Sequence, residues 1–312
     1  MRAKAFSPAH ITGFFKAELE KEEAVQLGSL GAGFSIQKGV KTTVNVRSKT
    51  EHDIANYGIR VKGFNTGDIR VSEYVLNEFL VDGKYFDVTH EIDVPVGYGF
   101  GCSAAVALSL SIALNDLLKC GYTKTKVAQI AHEAEIKCQT GLGDVLASYH
   151  GGFEIRTKSG APGIGEVQKI KPKEKLEVII ICFNPISTKK FLKEKISSVN
   201  GLGGKMVEKL VKSQDMGEFQ DMSLKFAQYI HVVTPKMSKV IKELHTNGIK
   251  CGIALFGETI FSLVTQDKKQ KVLEILKKYD DGIIITSKID NSGARLESVS
   301  YTHLTLPTSD LV

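Results

Sequence analysis

The segment that most constrains this chain is Pro95-Val96-Gly97-Tyr98-Gly99-Phe100-Gly101-Cys102-Ser103-Ala104-Ala105, where alternating glycines run into an Ala/Leu/Ser-rich stretch ending near Lys119. Glycine admits backbone conformations closed to other residues. A stretch this apolar and this poor in charge reads as a buried helix, with Ser103 placed as its N-cap. A glycine turn opening onto a helix start lets backbone N–H groups close on a polyphosphate, and the positive end of the helix dipole adds to the attraction. No Gly-Lys-Ser/Thr follows, so this is not a Walker A loop, and the third glycine of a dinucleotide fingerprint is missing.

The remaining sequence sets the context for that loop. At 312 residues the chain has room for about two domains, and 42% hydrophobic with 24% charged residues supplies a sizeable core. The longest purely apolar run, Val178 to Phe183, is too short to span a bilayer, and charges from Lys16 to Glu23 interrupt any leader-like segment. A soluble, cytoplasmic protein is expected. The net charge of +6 is spread among acidic neighbours instead of forming a basic stripe, which argues against a nucleic-acid partner. Five cysteines without CxxC spacing, and eight histidines without HExxH, offer neither a disulfide framework nor a zinc site.

Elements alternate along the chain. Strands are expected at 42–46, near 58–67 and at 153–158, with helices at 103–119 and 125–137 and a compact loop at Thr140-Gly141-Leu142-Gly143-Asp144. Lys171-Pro172-Lys173-Glu174-Lys175 reads as a break, dividing residues 1–170 from 171–301. The second unit opens with a buried strand at 176–183. Helices near 203–213, 216–230, 235–246 and 268–278 follow, with strands at 252–254, 260–264 and 282–286. Helix and strand alternation of this kind argues for α+β or α/β layers. The last eleven residues, Thr302 to Val312, lack Lys, Arg, Glu and Gly and read as a non-native tail.

Pro95 to Ala105 resembles the second motif of the GHMP small-molecule kinases, Pro-x-x-Gly-Leu-Gly-Ser-Ser-Ala, with Phe100 in place of the leucine and Cys102 in place of the first serine. Ser7-Pro8-Ala9-His10-Ile11-Thr12-Gly13 resembles the family's N-terminal motif, although some members carry Lys where His10 stands. Gly28-Ser29-Leu30-Gly31-Ala32-Gly33-Phe34 resembles an early glycine segment, and Cys251-Gly252 through Gly257-Glu258-Thr259 resembles the C-terminal motif more loosely. Ala131 to Glu135, Thr140 to Val145 and Gly152 to Gly163 resemble one branch in particular, the archaeal pantoate kinases.

The resemblance implies a two-domain GHMP fold, with a ribosomal-protein-S5-like N-terminal domain and a ferredoxin-like C-terminal domain. It also implies ATP and Mg²⁺ as cofactors and pantoate as the small-molecule substrate, phosphorylated on the way to coenzyme A. Pro95, Gly97, Gly99, Phe100, Gly101, Cys102, Ser103, Ala104 and Gly257 would hold the ATP phosphates. Ser103 and Glu135 would hold Mg²⁺, with Glu133 as the alternative to Glu135, because residues two apart on a helix face different ways. Asp144 is the expected catalytic base, since a carboxylate can take or orient the proton of an attacking alcohol. Arg156 and Lys158, on one face of a strand, and His10 are the candidates for the substrate site.

A mevalonate or homoserine kinase is the alternative within the fold, and a non-catalytic nucleotide or ligand sensor the alternative outside it. A dinucleotide-dependent oxidoreductase ranks behind both. Neither nucleic acid nor membrane is expected as a partner. Oligomeric state is not legible in the sequence, a homodimer being one arrangement.

Overall fold

The computed structural model describes residues 1–64, 67–172 and 174–298. The tail at 302–312 lies outside them. Two sheets organise the chain. The first unit contains β1 (Arg2–Glu18), β2 (Gly28–Ser48), β3 (Tyr57–Gly63), α1 (Arg70–Asn77), β4 (Lys84–Ile92), α2 (Cys102–Leu118), α3 (Lys124–Cys138), α4 (Asp144–His150), β5 (Phe153–Lys158) and β6 (Glu166–Ile170). The second contains β7 (Leu176–Pro185), α5 (Thr188–Ser213), α6 (Met216–Tyr229), α7 (Pro235–Thr246), β8 (Gly252–Ala254), β9 (Gly257–Thr265), α8 (Gln266–Leu276) and β10 (Ile283–Lys288). A short β11 (Arg295–Leu296) ends the described fold.

β1 and β2 form a long antiparallel hairpin that carries the first sheet, with β4 and then β3 on one side and β11 on the other. β5 pairs with the first part of β2 and extends to β6. The alternating segment Thr42–Val46 is therefore the last part of β2, not a short strand of its own. The strand expected at 58–67 spans Tyr57–Gly63, with residues 65 and 66 outside the described set. α2 is apolar all round because it is covered all round: Ala104, Ala107, Leu108, Leu110 and Leu114 are buried against Val44 and Phe86 of the sheet and Ala128 and Ala131 of α3.

The second sheet has the order β10-β7-β9-β8, antiparallel throughout. Strand, helices, two strands, helix, strand in that order is the ferredoxin-like arrangement. β7 is central, which is why Val178 to Cys182 form a continuous buried run. The helix expected near 203 starts fifteen residues earlier, at Thr188. Gly203 lies inside it because α5 crosses the β1 backbone there: a Cβ on Gly203 would stand 1.9 Å from the Phe15 carbonyl oxygen.

The two sheets share one core. Phe219 of α6 packs 4.6 Å from Phe153, 5.8 Å from Phe14 and 5.8 Å from Phe261, ring centre to ring centre, joining β5, β1 and β9. We propose the division into two units at residue 171, with β11 crossing back to pair with β1. Among the described residues, no helix is long and apolar enough to cross a membrane.

Candidate active site

A cleft of about 430 Å³ opens where β1, the 95–101 loop, the start of α2, the 139–143 loop and β5 meet. Gly97, Gly99, Phe100, Gly101, Cys102 and Ser103 line one wall. Gly97, Gly99 and Gly101 all take left-handed φ values, +88°, +84° and +56°, so the loop depends on glycine. The N-cap of α2 is Gly101, and Ser103 lies inside the first turn, so Ser103 is not the cap the composition suggested. The first turn of an α-helix has N–H groups without intrahelical acceptors, and Cys102 and Ser103 of that turn line the cleft. Pro95 and Ala104 are buried behind the wall, where the Pro95 carbonyl accepts from Cys102 Sγ at 3.8 Å. Burial pushes the Cys102 thiol up to about 12, which makes it a neutral packing group.

The loop is braced from the second unit. Gly257 sits behind it: a Cβ there would be 2.5 Å from the Tyr98 carbonyl carbon and oxygen, and Thr259 Oγ1 donates to that same oxygen at 2.8 Å. Gly257 therefore supports the loop instead of lining the cleft, where its neighbour Phe256 stands.

Asp144 opens α4 at the cleft floor, after the cap residue Gly143. His10, fully buried on β1, reaches it with Nδ1 at 2.8 Å from Asp144 Oδ1. The other face of His10 meets Glu154, with Nε2 3.3 Å from Oε2 and 3.2 Å from Oε1. Arg156, two residues along β5, donates Nη1 to Glu154. Thr12 Oγ1 stands 3.4 Å from His10 Nδ1 and adds to the polar surroundings of Asp144. Burial works against the Asp144 charge, yet the His10 hydrogen bond and the nearby cations hold its carboxyl below the usual range.

Glu135, from the last turns of α3, is the member of its pair that turns inward. Its Oε1 accepts from Thr140 Oγ1 at 2.5 Å, the nearby Ser103 hydroxyl favours its charged form, and Oε2 is buried without a protein partner. Burial drives its carboxyl up to about 7. Glu133 is only half-buried and lies near Tyr74 instead. A Cβ on Gly141 would fall 2.1 Å from Glu135 Oε2 and 3.3 Å from Asp144 Oδ2, so both carboxylates point into the space that glycine leaves empty.

Arg156 is 1% exposed yet lines the cleft, and its Nε has no hydrogen-bond partner. A Cβ on Gly143 would meet that Nε at 2.7 Å and Ser29 Oγ at 2.4 Å, which places both groups against the loop that carries Asp144. Lys158 is not part of this group: it is exposed, pairs with Glu166 at 3.3 Å, and lies outside the cleft. The expected shared face fails because β5 has a register irregularity between Arg156 and Lys158.

Residues 69–152 match the model of the GHMP kinases N terminal domain. Over 298 residues the chain is 30% identical to the pantoate kinase of Thermococcus kodakarensis, a match covering 92% of this chain and 97% of that one. The chain belongs to the pantoate kinase family. The pantoate kinase of Methanocaldococcus jannaschii is likewise 30% identical, over 87% of this chain and 96% of the relative. A solved phosphotransferase related to the CoA biosynthesis pathway superposes with a TM-score of 0.83 at 27% identity, covering 95% of this chain and 99% of that chain. Homoserine kinase from Cytophaga hutchinsonii, at 19% identity and a TM-score of 0.66 over 95% of this chain and 97% of its own, shares the fold. The α+β, GHMP-type architecture expected from the sequence is thus the one found.

Sequence reasoning about this pantoate kinase family member missed Thr12, Ser29, Thr140 and Glu154. Glu154 had a usable signal, since it stands two residues before Arg156 on the same strand face. The others carry no chemistry distinctive enough to single them out until the fold brings them to the cleft.

Proposed function

We propose that this protein transfers the γ-phosphoryl group of ATP to the primary hydroxyl of pantoate, giving 4-phosphopantoate and ADP in the cytoplasmic supply of coenzyme A. The observation that carries the reading is that a 430 Å³ cleft holds an N–H-lined glycine loop, an ionised carboxylate at Asp144 and a buried guanidinium with a spare donor at Arg156. These are the groups needed to bind phosphates, activate an alcohol and hold a substrate carboxylate.

In this reading the 97–103 backbone cradles the β- and γ-phosphates, and its fixed N–H groups oppose the negative charge that spreads over the transferring group. Asp144 accepts the hydroxyl proton of pantoate as the oxygen attacks. Arg156 binds the pantoate carboxylate through its guanidinium, with Ser29 beside it in the cleft lining. Because the acid and the alcohol lie on one small molecule, gripping one end orients the other.

Mg²⁺ fits the donors present. Among the described residues no three or more His, Cys, Asp or Glu side chains form a protein-only metal cage. A cation shared with nucleotide phosphates needs only one or two carboxylates, and the unpartnered Glu135 Oε2 with the Ser103 hydroxyl supplies oxygen donors. When bound, the ion would neutralise phosphate charge. Glu135 is preferred to Glu133 on its burial and direction.

ADP release measured with ATP and Mg²⁺, offering pantoate, mevalonate and homoserine separately, tests the proposal. Turnover with pantoate alone is expected. Turnover with one of the other alcohols would overturn the substrate, and nucleotide binding without any acceptor phosphorylated would overturn catalysis itself.

A further inference from the structure

The buried carboxylate of Glu154 has no direct role in the scheme above, yet it sits between the two cations of the site. The geometry points to Glu154 as a positioning residue that keeps His10 doubly protonated beneath Asp144 and fixes the guanidinium of Arg156. This rests on the reading of Asp144 as the base, and it adds a group that touches neither substrate nor nucleotide.

A neutral imidazole has one N–H and one lone pair. His10 is flanked by a carboxylate at each nitrogen, Asp144 at Nδ1 and Glu154 at Nε2. Both carboxylates offer only acceptors when ionised, so a neutral ring would press a lone pair against one of them inside a fully buried site. The imidazolium satisfies both at once. Arg156 completes the balance by donating to Glu154, so the four charges of Asp144, His10, Glu154 and Arg156 cancel.

The surroundings of His10 leave few alternatives. β5 contributes Glu154 and Arg156, α4 contributes Asp144, and Thr12 of its own strand stands 3.4 Å from Nδ1. Glu135 of α3 acts on Asp144 from its far side. Burial opposes charge on the ring, but Glu154 and the hydrogen bonds to both carboxylates outweigh it, and the direction for His10 is upward. Glu154 also explains how an arginine can be so deeply buried beside the cleft. It holds Nη1 and leaves Nε unengaged.

The test is the protonation state of the His10 ring in the full-length protein, read from ¹⁵N-edited spectra of its side chain and assigned by its loss in H10N. Imidazolium signals at both nitrogens are expected at pH 7.5. In E154Q the same ring should be neutral at that pH, while E154D keeps the imidazolium. Kinetically, E154Q should raise the pantoate KM at least threefold, leave the ATP KM unchanged, and move the alkaline break in kcat against pH down by at least one unit.

A neutral His10 in the native protein would overturn the proposal, as would an E154Q protein with the native spectrum and pH profile. If E154Q does not fold, the native spectrum and E154D decide. Failure of the base assignment is separate, because it would appear as turnover in D144N whatever the charge on His10.

Discussion

His10 Nδ1 lies 2.8 Å from Asp144 Oδ1, joining the first strand of the fold to the first turn of α4 across 134 residues of sequence. The contact orients the carboxylate at the cleft floor, and with neighbouring charge it keeps that carboxylate ionised against the effect of burial. A carboxylate held ionised in this way is able to accept a proton throughout the physiological range, as the proposed base role requires.

D144N keeps the shape of the side chain and removes its ability to accept a proton. Turnover should fall by about a hundredfold or more, the usual contribution of general-base catalysis. ATP affinity should stay within about threefold, since the proposed phosphate cradle is the backbone of the 97–103 loop, which lines the other wall of the cleft. Steady-state kinetics with a nucleotide titration checks both, and near-native kcat would remove Asp144 from the base role.

Arg156 calls for a conservative substitution. R156A would leave the buried carboxylates of Glu154 and Asp144 with His10 as their one remaining cationic partner, a change that costs roughly 3–5 kcal/mol and confuses folding with binding. R156K keeps the charge and loses the planar fork, so the pantoate KM should rise by about tenfold or more with the ATP KM unchanged. An unaltered pantoate KM would take Arg156 off the substrate carboxylate.

The brace behind the glycine loop gives a prediction far from the chemistry. In G257A the new methyl would overlap the Tyr98 backbone, which must shift because a carbonyl cannot swing aside like a flexible side chain. Overpacking of this kind costs about 1–3 kcal/mol. A lowered Tm and a raised ATP KM are expected together, with the pantoate KM little affected. A normal ATP KM at reduced Tm would uncouple the brace from nucleotide binding.

Much of the site was legible where it is local. The glycine loop, the helix it feeds and the 140–144 turn are each contiguous, so their place in the fold could be read locally, while the roles given to Ser103 and Asp144 came from the family resemblance. What escaped depends on distance or on irregularity. His10 acquires its partners from α4 and β5, and no pattern in residues 7–15 announces them. Lys158 was misplaced because simple alternation along β5 breaks between Arg156 and Lys158. The first half of α5 was hidden by Gly201, Gly203 and Gly204, which look like a helix boundary. Gly203 instead serves the close crossing over Phe15. The long β1–β2 hairpin was equally obscured, since its glycines at 28, 31 and 33 resemble a loop until the sheet packs against them.

Glu135 supplies the pH prediction. Burial, only partly offset by Thr140 and Ser103, raises its folded value to about 7 from an ordinary 4.5. A carboxyl raised on folding holds its proton more tightly in the native state, so its stabilising effect is complete below the unfolded value and is lost as pH rises through the folded one. The ligand-free protein should therefore lose stability between about pH 4.5 and 7, with a slope of up to about 1.4 kcal/mol per pH unit from this group. Other titrating groups, His10 among them, contribute to the whole curve, so the decisive quantity is the difference between the native protein and E135Q. The amide side chain of E135Q cannot titrate, and the native protein's Tm relative to that variant should decline from pH 5 to 7 and level off above. A Tm difference independent of pH across that window would show that Glu135 is already ionised in the folded protein.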